Sequence, residues 1–376
     1  MINHSSKIII TGGLGYIGSH TVVELQSKGF EIVIVDDLSN SSIEVLDGLK
    51  NIIGKNIAFE NIDLKKPDLV IDLFKRHSDL TGVVHFAASK AVGESVTNPL
   101  DYYENNIYSL VNVLKALKKL NKSINFIFSS SCTVYGQAKI LPITEKESIK
   151  KAESPYGNTK QICEEIITDT VSSSKNLKAI SLRYFNPIGA HESSEIGELP
   201  LGIPQNLVPF ITQTGAGIRS ELIVFGDDYP TIDGTCIRDY IHVVDLAKAH
   251  TAALISMINN THSKNYDYYN IGTGKGTSVL EAITSFEKVS KTKLKYKIGS
   301  RRVGDIISAF ADTSKANKQL NWTAEFSLDQ AMASAWKWQK KYLSSYVNCS
   351  CLSYYCDFNL SWVSHVSLNL LRYLKR

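Results

Sequence analysis

No stretch of about eighteen consecutive apolar residues occurs in the chain, so an ordinary membrane-spanning helix is not expected. Neither sign of charge dominates: Lys+Arg number 41 and Asp+Glu 37, a formal net charge of +4. So slight a basic balance does not argue for a nucleic-acid protein. Proline is scarce, at 9, and glycine modest, at 23, which excludes a collagen-like or low-complexity chain. Cysteine is sparse as well, with 6 in 376 residues, so the fold is not a disulfide framework. Cys132, Cys163 and Cys236 show no pairing or metal-ligand pattern, so no metal is expected and a reduced cytoplasmic setting is. The opening residues, MINHSSKIIITGG, lack a long apolar core and a small-residue cleavage site, so a secretory signal is not expected. No internal repeat of useful length is present. What remains is a 43% hydrophobic, 21% charged chain, long enough to bury a large core and to divide in two.

The first half alternates between two periodicities. Runs of Ile and Val at Lys7–Thr11, Glu31–Asp36 and Gly82–Ala87 mark strands buried on both faces, with further strands at Ala58–Ile62, Asn125–Ser129 and Ala179–Phe185. Helical patterns lie between them, at Tyr16–Lys28, Pro67–His77, Asp101–Leu120 and from Pro155 to about Val171. Ser154 caps the last of these and Pro155 starts it. Strands alternating with helices predict a doubly wound parallel sheet with right-handed crossovers. The second half loses that rhythm, with Gly, Pro and Asp turns crowding Pro187–Gly234. It reads as a smaller α/β unit closing over the ends of the strands, where open α/β sheets bind ligands. The expected divisions are 1–185, 186–345 and a C-terminal stretch, 346–376.

Thr11–Gly18 reads TGGLGYIG, directly after a strand and directly before a helix. Gly12 serves a tight turn, Gly15 lets backbone approach a pyrophosphate, and Gly18 lets the helix pack closely. The phosphates then meet free N–H groups at the positive helix end. Asp36 ends the second strand, 18 residues after Gly18. Its carboxylate can accept the hydroxyls of an adenosine ribose and would repel a 2′-phosphate. No Arg or Lys lies between Asp36 and Lys50, so NAD is favoured over NADP and the sheet is Rossmann-like.

Tyr156 and Lys160 stand four apart in SPYGNTK and share a helical face. A free phenol titrates near 10, and bringing it to about 7 takes roughly 4 kcal/mol of differential stabilisation. Lys160 and a positive nicotinamide ring together would supply it, leaving a phenolate able to take a proton from a sugar hydroxyl. Ser129–Ser131 follows the fifth strand, where hydroxyls can bridge a substrate oxygen and the phenol.

TGGLGYIGSH, HFAASKAVGESV, FIFSSSCTVYG, SPYGNTK, LRYFNPIGAH, GIPQNLVP and DGTCIRDYIHV together resemble the UDP-glucose 4-epimerase family of extended short-chain dehydrogenases/reductases. The resemblance is collinear from about Lys7 to Tyr342. It implies that Tyr156 is the base and acid, Lys160 its electrostatic partner and a ribose contact, and Ser131 the hydrogen-bond bridge. It implies that Tyr16, Ile17, Asp36, Asn40, Asp63, Leu64, Phe86, Ala87, Lys90, Asn105 and Phe185, with the three glycines, hold NAD. It implies that Asn186, Asn206, Leu207, Phe225, Arg238, Arg302 and Asp305 hold a UDP-sugar. The implied reaction oxidises C4 to a 4-keto sugar, turns the sugar and reduces it on the other face, with the UDP clamped and NAD retained. Homodimers, commonly built from two long helices per subunit, are implied by the resemblance alone. The other readings of the same residues are a UDP-pentose or UDP-uronate 4-epimerase and a non-catalytic NAD-binding sensor.

Of the departures from the family pattern, the one at Ala309 bears on substrate. Ala88–Ser89 and Cys132 replace residues of similar size. Dehydratases of the superfamily need an acid pair beside the serine run, where this chain has Ser131–Cys132–Thr133. Ala309 falls where some epimerases carry Tyr and others a small residue near the sugar C2 substituent, so an N-acetyl group has room and UDP-GlcNAc/UDP-GalNAc interconversion is expected too. Residues 346–376, with Cys349, Cys351 and Cys356, have no place in the pattern. They read as a loose or read-through extension, an added helix, or a membrane-associated tail.

Overall fold

Three consecutive isoleucines fill β1 (Lys7–Thr11), and strand alternation sends Ile8 and Ile10 to one apolar layer and Ile9 to the other. The same logic explains the remaining apolar strands. In this computed structural model, which describes residues 6–302 and 305–353, β1 is followed by α1 (Tyr16–Ser27), β2 (Glu31–Asp36), α2 (Val45–Ile53), β3 (Ala58–Asn61), α3 (Pro67–Arg76) and β4 (Gly82–His85). There follow α4 (Val92–Thr97), α5 (Pro99–Tyr103), α6 (Ser109–Lys119), β5 (Ile124–Ser129), α7 (Pro155–Ser172) and β6 (Leu177–Tyr184).

The second half contributes β7 (Asn186–Ile188), α8 (Leu207–Gly215), β8 (Leu222–Phe225), β9 (Ile237–Arg238), β10 (Tyr240–His242), α9 (Val243–Ile258) and β11 (Tyr266–Ile271). It ends with β12 (Thr277–Ser278), α10 (Val279–Ser290), β13 (Tyr296–Gly299), β14 (Ser308–Ala309), α11 (Ser314–Gln319) and α12 (Leu328–Ser353). The main sheet has seven parallel strands in the order β3-β2-β1-β4-β5-β6-β11. One face carries Leu25 and Val22 of α1, Leu49 of α2 and Leu246, Leu254 and Met257 of α9. The other carries Val70 and Phe74 of α3, Leu110 and Leu117 of α6 and Ile167 of α7. This is the doubly wound, Rossmann-like architecture expected from the alternating pattern.

Three elements from beyond residue 185 belong to this first layer: β11 pairs with β6 over six residues, and α9 and α11 pack into the α1 side. The smaller unit has its own core, built from Val208 and Ile211, Leu222 and Val224, Phe286 and Met332. Its short sheets are the parallel pairs β7–β10 and β8–β13 and the three-stranded β12-β9-β14. A fourth cluster, with Tyr135, Phe185 and Ala309, seals the junction at the strand ends.

The helix expected over Asp101–Leu120 is interrupted by a π turn at Glu104–Tyr108. Asn106 in that turn reaches the loop after β4: its Oδ1 accepts from Ser89 N at 2.7 Å, and its Nδ2 donates to Ser89 O and Thr159 Oγ1, both at 3.0 Å. The Asn106 side chain is buried, 3% exposed, in line with π turns marking functional positions in helices. Helix α12 runs past residue 345 to Ser353. The remaining expectations for 346–376, including those on Cys356, lie outside the described residues. Among the described residues, no helix is long and apolar enough to cross a membrane.

Candidate active site

The glycine turn explains its own composition. Gly12 sits at φ +65°, and a Cβ there would stand 2.7 Å from Ala87 N. A Cβ on Gly18 would overlap the Gly12 carbonyl, so this glycine lets α1 close on the turn itself. Gly15 is the N-cap of α1, in extended conformation, and a Cβ there would meet only the Gly12 carbonyl at 3.1 Å. No side chain caps α1 and no acid lies in its first turn. The turn therefore leaves open space and uncapped N–H donors for an anion. Asp36 lines the same edge, its Oδ2 accepting from Leu14 N at 3.1 Å and its Oδ1 from Leu38 N at 3.1 Å and Ser41 Oγ at 2.7 Å. Burial raises this carboxyl, and those donors pull it back. Oδ2 keeps acceptor capacity for a ribose hydroxyl. These features fit a dinucleotide, with no 2′-phosphate, lying along the strand ends.

The other residues assigned to cofactor by resemblance follow that edge. Asn40 is exposed in the loop after β2. Asp63 and buried Leu64 follow β3, Phe86 and Ala87 follow β4, and buried Phe185 follows β6. Asn105, in the π turn, donates to Ser89 Oγ at 3.0 Å. The Tyr16 hydroxyl donates to Gly189 O at 2.7 Å, and Lys90 Nζ stands 5.9 Å over the Tyr16 ring.

Tyr156 and Lys160 lie on the buried face of α7, 7% and 3% exposed, beside the end of β5. The serine run divides its tasks. Ser129 Oγ pairs with Tyr184 OH at 2.7 Å, Ser130 Oγ turns inward to Glu164 Oε1 at 2.6 Å, and Ser131 Oγ accepts from Thr133 N at 3.2 Å while lying near enough to Tyr156 to act on its phenol. Lys160 Nζ donates to Ser129 O at 2.8 Å and stands 5.8 Å from the Tyr156 ring centre. The expected lowering of the phenol joined Lys160 with a positive nicotinamide ring, and Lys160 by itself does not supply it. Burial holds the phenol well above its ordinary value, Tyr184 adds to the rise, and the nearby Ser131 hydroxyl only partly opposes it. Burial also lowers Lys160, to about 8, against the opposing pull of Cys163 and Glu164. The protein alone therefore keeps the phenol protonated, because desolvation outweighs an ammonium already engaged by a carbonyl.

Across the crevice the smaller unit gathers the residues assigned to substrate. Arg302 grips Asp305 with Nε at 3.2 Å and Nη2 at 2.8 Å, and its guanidinium lies 5.4 Å from the half-exposed Phe225 ring. Arg238 Nη2 approaches the same carboxylate at 3.7 Å, while its Nη1 donates to Ile306 O at 2.7 Å. Ala309 pairs with Arg238 in register, is 4% exposed and packs in the cluster with Phe185 and Cys132. Asn186 opens β7, Asn206 immediately precedes α8 without a side-chain cap, and Leu207 is its first residue.

Two neighbours of the site were not singled out from the sequence. Glu198 Oε1 accepts from Lys90 Nζ at 3.2 Å and from Asn206 Nδ2 at 2.6 Å, joining a residue assigned to cofactor with one assigned to substrate. His85, buried in β4, pairs with Thr11 Oγ1 at 2.8 Å; burial and nearby Lys160 hold it neutral, near 3. Only its polarity within the run GVVHFA could have flagged it.

The sequence matches the family described as GDP-mannose 4,6 dehydratase over residues 9–335. It is similar to a UDP-glucose 4-epimerase of Bacillus subtilis, 47% identical, with 90% of this chain and 98% of that protein covered. The structure is similar to a UDP-glucose 4-epimerase of Stenotrophomonas maltophila with bound NAD and formylated UDP-arabinopyranose, at TM-score 0.86 and 42% identity, covering 90% of this chain and 99% of the other. It is also similar to the Bifidobacterium longum UDP-glucose 4-epimerase in complex with NAD+ and UDP, at TM-score 0.85 and 44% identity, covering 89% and 98%.

Proposed function

The chain belongs to the UDP-glucose 4-epimerase family, and on that premise we propose how its own residues interconvert UDP-glucose and UDP-galactose with tightly held NAD. The observation that carries the assignment of roles is the meeting of Ser131, Tyr156 and Lys160 at the strand ends, between the glycine turn and the Arg238–Asp305–Arg302 group. Bound NAD supplies a reversible acceptor for the C4 hydrogen and, when oxidised, a positive ring. With that charge beside it, the Tyr156 oxygen gives up its proton and can take the one on the sugar O4, later returning it. Ser131 spans the phenol and O4, and Lys160 holds positive charge close to the phenol ring. Arg238 and Arg302 turn from Asp305 to the diphosphate, where planar guanidinium forks suit phosphate oxygens. The hexose beyond that grip is free to turn, and the tethered nucleotide keeps the keto sugar at high effective concentration.

We assign N-acetyl sugars to the same pocket, because Ala309, paired beside Arg238, is a small residue at the position where the family resemblance puts the C2 substituent. The subunits pair through α4, α5 and the π turn, which leave Val96, Leu100 and Tyr108 62%, 78% and 56% exposed; a run of large apolar residues is what an isologous interface needs. The site residues use reduced thiols nowhere, and we place the protein in the cytoplasm on composition alone.

Incubating the purified protein with UDP-galactose, and separately UDP-GalNAc, without added NAD should yield the C4 epimer of each. Tyr156→Phe should lose activity by at least about a hundredfold while keeping its NAD. An active Tyr156→Phe variant would overturn the assignment, and turnover of only the plain sugar pair would remove the N-acetyl activity.

A further inference from the structure

Helix α7 aligns Tyr156, Lys160 and Glu164 one turn apart on a single buried face. Glu164 is 4% exposed and makes a two-pronged ion pair with Arg183 of β6, itself 3% exposed. Arg183 Nε stands 2.9 Å from Oε1 and Nη2 2.5 Å from Oε2. Arg183 lies between the rings of Tyr135 and Tyr268, 4.9 and 3.9 Å from their centres, and its Nη1 donates to Tyr135 OH at 3.0 Å. Tyr135 OH donates in turn to Asn270 Oδ1 of β11 at 2.7 Å. Buried ion pairs are a poor route to stability, since apolar residues of similar volume commonly do as well. A reason beyond stability is therefore wanted for one placed a single turn from Lys160.

The reason lies in the remaining contact. Glu164 Oε1 accepts the Ser130 hydroxyl at 2.6 Å, and Ser130 is fully buried at the centre of the serine turn. On one side of it, the Ser129 carbonyl takes the Lys160 ammonium; on the other, Ser131 meets Tyr156. We propose that Glu164 is a positioning residue for the reaction: locked by Arg183, it fixes the Ser130 hydroxyl and with it the turn that seats Lys160 and aims Ser131 at the phenol. This rests on the roles given to Tyr156, Lys160 and Ser131 above.

The same carboxylate acts on Lys160 through space. Facing that ammonium are the Ser129 carbonyl and Phe128 ring of β5, His85 of β4, and Tyr156, Cys163 and Glu164 of its own helix. Glu164 supplies a negative charge there, and it is faced in turn by Arg183, Tyr135, Cys163 and Tyr266. Removing the charge leaves Arg183 uncompensated, so Lys160 releases its proton at lower pH.

The test is kcat and KM for UDP-galactose as functions of pH, with retained NAD measured on each protein. Glu164→Gln should lower kcat about tenfold or more, leave KM within about twofold, and move the alkaline limb of kcat to lower pH. Ser130→Ala should lower kcat with that limb in place. If Glu164→Gln does not fold, Glu164→Gln with Arg183→Met removes both charges and should show the same loss of kcat. Wild-type kcat and pH dependence in folded Glu164→Gln, or wild-type kcat in the folded double variant, would overturn the proposal. Full activity in Tyr156→Phe would instead sink the reading it rests on.

Discussion

Lys160 shows what the active site requires of a single residue. An ammonium inside the fold, lowered from 10.5 to about 8, is held at a cost in stability. Between those two values the unfolded chain keeps a proton that the folded protein has released, so this group's contribution to stability rises with pH there. Lys160→Met should therefore lose activity by at least about a hundredfold yet melt at or above the wild-type temperature at pH 7. The gap between the two melting temperatures should shift in favour of wild type as pH rises from 8 towards 10.5. A variant that melts well below wild type at pH 7 would show that the lysine is structural. At this scale the Tyr156–Lys160 pair was legible, because two residues four apart on one helix are neighbours by geometry alone. Glu198 was not: it meets Lys90 from 108 residues away. Glu164 and Arg183 were hidden for the same reason, a charge in a helix and another in a strand giving no sign that they pair.

Local periodicity made most elements readable. Strands full of Ile and Val declared themselves, and the strand–turn–helix frame of the three glycines separated their tasks. Gly18→Ala puts a methyl into the Gly12 carbonyl and should destabilise the fold by about 1–3 kcal/mol, whereas Gly15→Ala should fold and lose retained NAD. Thermal melting and the absorbance ratio of the purified proteins distinguish the two; a stable, NAD-loaded Gly15→Ala variant would contradict the phosphate role. The π turn was illegible because its cause is tertiary. Asn106 looks like any polar helix residue until Ser89 and Thr159 are brought to it. Strand β11, YDYYNI, was missed as a member of the main sheet, since its tyrosines and polar residues do not form the apolar run of its neighbours.

On the scale of the whole molecule, the outer face of α4, α5 and the π turn leaves Val96, Leu100 and Tyr108 exposed, and it is where we propose that subunits pair. Leu100→Lys places a charge at its most exposed apolar position and should convert a dimer to a monomer in size-exclusion chromatography, with the fold retained. A wild-type monomer, or a Leu100→Lys dimer, would refute pairing through this face. The sequence located a helix from Asp101 but neither α4 nor the exposed face, because exposure is a property of what the rest of the chain leaves uncovered.

The pairing of β11 with β6 also has a consequence for biosynthesis. The growing polypeptide finishes β6 at Tyr184, yet the strand that covers its open edge is complete only at Ile271. Throughout the intervening synthesis a row of unpaired amides stays available to any other extended segment. Nascent chains of this protein thus pass through an interval of vulnerability to mispairing that closes only when most of the polypeptide has emerged.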